Sequence, residues 1–203
     1  MCKAPLARAL DDRARLGRVL AWVSSSLRIT GDLDGALAAG QQALALAAAL
    51  GESALQVEAS YTLGQVYYAI GDFGRSAELL RRIVEAADRE SRTPRTDWWV
   101  RSPAWLVWPL SALGAFAEGR RHGEEALRLA MLAGRGPTPI AAHGCLGHLY
   151  LAQGDLEHAV RVLEPGLALC RASGNRIWLP SIAAGLGYAY ALRGHLAEGR
   201  TLL

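Results

Sequence analysis

Lysine is almost missing from this chain: Lys3 is the only one in 203 residues, so arginine carries nearly all the positive charge. With 22 basic against 19 acidic residues the net charge is only +3. The arginines alternate with acids, as in "ELLRRIVEAADRE" and "EALRLA", and Glu78 and Glu85 stand four residues before Arg82 and Arg89. That order favours exposed ion pairs on a helix. It reads as a solvated face, not as a nucleic-acid footprint. Cysteine is scarce too. Cys2, Cys145 and Cys170 are widely scattered and form neither a disulfide framework nor a metal-ligand spacing, so a reducing, cytoplasmic setting is expected. No apolar stretch reaches the roughly 20 uncharged residues of a membrane span. The longest candidate, "GALAAGQQALALAAALG", is broken by Gln41 and Gln42 and rich in alanine, which suits a packed helix. The start, "MCKAPLARALDDRAR", lacks the apolar core of a secretory signal. With 51% hydrophobic and 20% charged residues, the composition is that of a folded chain.

What is present is a period. Five segments align: "VSSSLRITGDLDGAL", "LGQVYYAIGDFGRSA", "LVWPLSALGAFAEGR", "LGHLYLAQGDLEHAV" and "LGYAYALRGHLAEGR". Their central glycines, Gly31, Gly71, Gly114, Gly154 and Gly194, are separated by 40, 43, 40 and 40 residues. Four residues before each glycine stands Leu27, Tyr67, Leu110, Tyr150 or Tyr190, and eight before it Val23, Leu63, Leu106, Leu146 or Leu186. Such spacing makes one apolar stripe on a helix. The glycine then ends that helix in a left-handed turn, and Asp32, Asp72 and Asp155 are placed to cap the next one. Five residues after the glycine comes a small residue: Ala36, Ser76, Gly119, Ala159 or Gly199. Together with Gly64, Gly147 and Gly187 on the first helices, these positions let paired helices approach closely. The expected pairs are 12–30/33–49, 53–70/73–89, 101–113/116–133, 138–153/156–172 and 178–193/196–203.

The pattern resembles the tetratricopeptide repeat, lengthened from the usual period of about 34 residues. Ser24 and Val107 replace the small glycine of the other units. The resemblance implies an all-α, right-handed superhelical solenoid of antiparallel helix hairpins, a TPR-like single array over 1–203. Its repeats would lie at about 12–50, 53–90, 98–134, 138–173 and 178–203, the last truncated. An open end of this kind calls for a shielding partner, so a longer parent array, or a homo-oligomer formed through the C-terminal end, is expected. "GRVLAWVSSSLRITGDLDGALAAGQQALALA" and "LEPGLALCRASGNRIWLPSIAAGLGYAYALRGHLAEGRTLL" are also similar to C-terminal arrays of bacterial proteins that join a class III adenylate or guanylate cyclase to an AAA-type ATPase.

The three extra residues of the long interval fall just before the first helix of the third unit, and at that irregularity sits "DWWVRSPAWLVWP", which holds four of the six tryptophans. Ser102–Pro103 reads as a helix start, and Pro109 should kink the helix, at a cost of about 3 kcal/mol if nothing compensates. Trp98, Trp99 and Trp105 can plug the seam between repeats, or the segment can serve binding. Two residues after the stripe position, first helices of such a superhelix face its concave groove: Ser25, Gln65, Trp108, His148 and Tyr188. Arg28 and Tyr68 lie in the neighbouring column, and Tyr61 and Arg101 border it. An aromatic lane with a few hydrogen-bonding groups suits an extended peptide or a partner helix. Relatives that clamp a terminal carboxylate use asparagine and lysine in these columns, and neither is found here.

Catalytic signatures are missing. There is no P-loop, dinucleotide fingerprint or nucleophile elbow. In "HGCLGH", His143 and His148 are five apart and diverge by about 140° on a helix, so they do not make a zinc face. Cys145 reads as a small core residue and His148 as a polar groove residue. The expectation is a non-catalytic interaction scaffold with no cofactor, metal, nucleic acid or membrane. Its partner would be a protein, a peptide or another domain of the same parent. The alternative is a ligand-sensing repeat domain of an ATP-dependent transcription activator.

Overall fold

The repeat places each glycine where a helix must end, and the backbone follows it. In the computed structural model, which describes residues 12–89, 97–133 and 138–203, Gly31, Gly71, Gly114, Gly154 and Gly194 all have positive φ, between 73° and 91°. The residue after each glycine donates its N–H back to the stripe residue's carbonyl: Asp32 to Leu27, Asp72 to Tyr67, Ala115 to Leu110, Asp155 to Tyr150 and His195 to Tyr190, at 2.9–3.0 Å. This closes the helix in a Schellman turn, which a side chain at the left-handed position would strain. Asp32, Asp72 and Asp155 then accept from the backbone N–H three residues on, at 3.0, 3.1 and 3.2 Å. Asp12 does the same for Arg15 at 2.9 Å.

Ten α-helices and no strands result among the described residues: α1 (Arg13–Thr30), α2 (Leu33–Leu50), α3 (Ser53–Ala69), α4 (Phe73–Arg89), α5 (Asp97–Ala112), α6 (Phe116–Ala133), α7 (Thr138–Gln153), α8 (Leu156–Ser173), α9 (Leu179–Leu192) and α10 (Leu196–Leu202). The expected bounds hold within a residue or two except at α5. That helix begins at Asp97, so Ser102 and Pro103 lie inside it, and Ser102 is buried. Ser102 is therefore not a cap. The helical assignment also runs unbroken past Pro109, which is fully buried. Gly51 and Gly174, with φ of 66° and 65°, end α2 and α8 in the same left-handed way, a signal the hairpin alignment passes over.

The chain divides into two compact units, Met1–Ser102 and Pro103–Leu203, with the boundary inside α5. In the first, Leu20 and Ala21 of α1 pack with Ala39 and Ala43 of α2 and Ala59 of α3. By length and mean hydropathy (1.2 over 18 residues) α2 does qualify as a membrane span, contrary to the reading of its sequence. Here its stripe Ala36, Ala39, Gly40, Ala43 and Ala47 is buried within the unit. In the second unit the core runs through Val107, Leu146, Leu149, Leu163, Ile182 and Leu186.

In three hairpins two positions, 12 residues apart, meet face to face. Where the first helix carries Ser24, its hydroxyl donates to the Ala36 carbonyl at 2.7 Å. One repeat later the roles are exchanged, and Ser76 of the second helix donates to the Gly64 carbonyl at 2.7 Å. Val107 and Gly119 hold the equivalent positions in the third hairpin, and both are buried. In the last hairpin both members are glycine, and a Cβ on Gly199 would stand 2.8 Å from the Gly187 carbonyl oxygen. Successive hairpins of the second unit are tied by a tyrosine to the preceding second helix. Tyr150 donates to Glu124 at 3.4 Å and Tyr190 donates to Glu164.

A methyl group at Gly147 would lie 2.3 Å from Leu163 Cδ2, so Gly147→Ala should lose about 1–3 kcal/mol by overpacking. Ser76→Ala, which leaves a buried carbonyl short of its donor, should lose about 1 kcal/mol. Urea midpoints of the two variants, at unchanged m-value, measure both losses.

Candidate functional site

In the first unit the expected lane draws on α1, α3 and the start of α5. Tyr61 and Gln65 are only 2% and 5% exposed, so they form its floor. Ser25, Arg28, Tyr68 and Arg101 are partly exposed above them. The structure brings two of these together. The Arg101 guanidinium lies over the Tyr61 ring, 5.6 Å from its centroid. Burial lowers the Arg28 pKa, and the nearby Tyr61 phenol opposes that shift. Tyr68 packs across the hairpin turn on Phe73, with ring centroids 5.4 Å apart.

In the second unit the lane is aromatic and more tightly specified. The Trp108 ring of α5 lies 5.0 Å from the His148 ring of α7, and its indole N–H donates to Cys145 Sγ at 2.7 Å. His148 Nε2 pairs with the Ser181 hydroxyl of α9 at 3.1 Å. Gly185 makes room for that imidazole, since a Cβ there would stand 3.0 Å from His148 Cε1. Tyr188, seven residues past Ser181 and so on the same face of α9, is 53% exposed. Trp105 meets Trp178 edge to face at 6.1 Å, while Gly144 admits the Trp178 ring at 3.0 Å from where its Cβ would be. The side chains of Trp98 and Trp99 lie outside the described residues.

Sequence reasoning passed over Ser181 and Trp178. A signal existed for the second. Asn175 accepts from the N–H groups of Ile177 and Trp178 at 3.1 and 3.0 Å, an Asx turn that the "SGNRIW" loop spells out. Gly144 and Gly185 were further signals, being glycines with no part in the hairpin contact.

The "HGCLGH" side chains go separate ways. His143 donates through Nδ1 to the Val162 carbonyl at 2.9 Å, His148 turns to Ser181, and Cys145 is buried. Burial pushes the Cys145 thiol far up, so it is a poor nucleophile. Among the described residues no group of three histidine, cysteine or acidic side chains could hold a metal ion.

Burial also holds His143 and His148 below the ordinary imidazole value, only partly offset by their hydrogen bonds. Each takes up a proton more readily unfolded than folded. Stability is therefore full above about pH 6.5, the unfolded value, and declines as pH falls below it until the folded values are passed. Melting temperature should drop between pH 7 and 5, and the double variant His143→Gln/His148→Gln should show a shallower drop. Parallel curves would refute this.

Residues 7–89 match the family model of the tetratricopeptide repeat. No curated protein matches the chain at a significant level. Among solved structures, a Podosopora anserina protein named for the kinesin light chain, with nearly identical TPR-like repeats, aligns at 22% identity and a TM-score of 0.70, covering 94% of this chain and 92% of that one. BtubC (BKLC) from P. vanneervenii aligns at 19% identity with a TM-score of 0.77, over 99% and 84% of the two chains. Rap protein complexed with Competence and Sporulation Factor aligns at 14% identity with a TM-score of 0.80, and the match spans 94% of this chain but only 52% of that one. The fold is that of an all-α, TPR-like helical-repeat solenoid.

Proposed function

We propose that the chain is a non-catalytic scaffold that binds a protein or peptide along the inner faces of its first helices. The observation that carries this reading is the fixed aromatic surface of the second unit. Trp108, His148 and Ser181 hold one another in place, so the rings sit at the edge of the lane already ordered, and little side-chain freedom is lost on binding. Large, rigid rings with a polar rim are what anchor most interfaces. Tyr188 extends that surface with an exposed ring and hydroxyl. The Rap neighbour with its bound factor is a precedent for ligand capture on a like fold. The finer reading is a regulatory end of a larger signalling protein of cyclase and ATPase type, supported by the two sequence stretches at either end of the array. In that setting the partner would be another domain of the same parent.

The test is capture of partners from a lysate on the immobilised chain, identified by mass spectrometry. Trp108→Ala and Tyr68→Ala should each weaken the captured partner at least about tenfold, the loss of one interface anchor. A partner held equally well by both variants would place binding elsewhere on the molecule.

A further inference from the structure

One face of α7 is a seat for another helix. Ile140, Gly144 and His148 stand four residues apart along it, and α9 packs there. The Trp178 ring comes within 3.0 Å of where a Cβ on Gly144 would be, and Ser181 and Gly185 meet His148. Forty residues on, the same positions of α9 are Pro180, Ala184 and Tyr188, and all three are exposed. Ile177, in the turn that leads into α9, is 87% exposed, and Ala191 is half-buried. Spacings of three and four residues put these five side chains on one stripe. The whole helix, "LPSIAAGLGYAYAL", carries no charged residue. Past its end, Leu192 and Leu196 at the hairpin turn are exposed as well.

We propose that this stripe joins a second copy of the chain, the two α9 helices lying antiparallel about a twofold axis beside Ala184. From Ile177 through Pro180, Ala184 and Tyr188 to Ala191 the steps are three, four, four and three residues, the same from either end. A twofold interface needs a surface that complements itself, and a stripe of this symmetry does so. Ala184 meets its own counterpart, where small side chains let two helices close up. Tyr188 falls beside Pro180 of the partner subunit, and Ala191 lies level with Ile177 of the partner subunit, so each large side chain finds a smaller one. Neither helix brings a charge, so nothing repels and no ion is stripped of water, while the Tyr188 hydroxyl at the rim keeps its contact with solvent. A partner with charged anchors finds no counterpart on this stripe. A helix of 14 residues is about 21 Å long, and two such faces with their leucine flanks bury on the order of 1,000 Å² in total, the low end of specific interfaces. The dimer is accordingly reversible, with a dissociation constant in the micromolar range. This inference does not rest on the scaffold reading, with which it shares only Tyr188.

Sedimentation velocity of the full chain across the micromolar range is the test. The mass should rise from one chain of 21.7 kDa toward two and stop there. Ala184→Arg should weaken association at least about tenfold, because it sets two like charges face to face at the axis. Ala184→Glu should do the same. An equal mixture of the two variants should dimerise again, since a position on a twofold axis meets its own counterpart and the mixed pair carries opposite charges. Tyr188→Ala should weaken the dimer about tenfold, as loss of an interface anchor does, and Trp108→Ala should leave it intact. Ala184 is exposed, and far-UV circular dichroism with melting temperature reports that its variants fold; Tyr188→Ala supplies an independent reading should one of them not. A single chain at every concentration would overturn the proposal. So would a mass that climbs past two, the mark of head-to-tail stacking, or a dimer that both Ala184→Arg and Tyr188→Ala leave unchanged.

Discussion

Everything in this fold depends on how closely the two helices of a hairpin can approach at one pair of facing positions. A helix backbone can come near another only where a side chain is small, because interiors are packed to crystal-like density. The chain meets that condition in three ways: serine against alanine, glycine against serine and glycine against glycine, while the other two hairpins carry valine with glycine and glycine with alanine at the equivalent positions. In two hairpins the narrow gap is also used for a buried hydroxyl-to-carbonyl bond, which satisfies the serine without widening the contact. The constraint belongs to the pair and not to either position. That is why Ser24 and Val107, which look like departures when the first helices are read alone, fit once the facing residue is considered.

Much of the fold was legible for the same reason. A turn glycine, an aspartate after it and an apolar residue four before it are local features with local causes. They report helix ends directly, and nine of the ten described helices begin and end where the spacing puts them, give or take a residue or two. The failure at α5 has a physical origin. Ser-Pro is a good helix start when nothing precedes it, but Asp97 begins the helix five residues earlier, and Pro103 is tolerated inside it. Pro109 likewise needs no break in the assigned helix. Local chemistry names the options at such a place, and tertiary packing selects among them.

The binding lanes were legible in outline only. Periodicity put Trp108 and His148 in one column, and their rings do meet. It could not tell that Tyr61 and Gln65 would sink to the floor of the lane, because depth depends on how neighbouring helices close over a residue. Nor could it reveal that Ser181 fixes the His148 ring, since that bond joins positions 33 residues apart. The difference in character between the units, guanidinium groups in one and indole and imidazole in the other, emerges only when separate helices are assembled.

Tyr150 and Tyr190 of the second unit carry a mechanical meaning. Each reaches back 26 residues to a glutamate on the previous hairpin, so a hairpin cannot swing away from its neighbour without stretching that bond. Short side chains set how tightly each pair of helices closes, and long ones limit how far successive pairs can splay. The spacing of groups such as His148 and Ser181 is thereby fenced on two sides, which gives a lane built from separate helices the stiffness of a ruler.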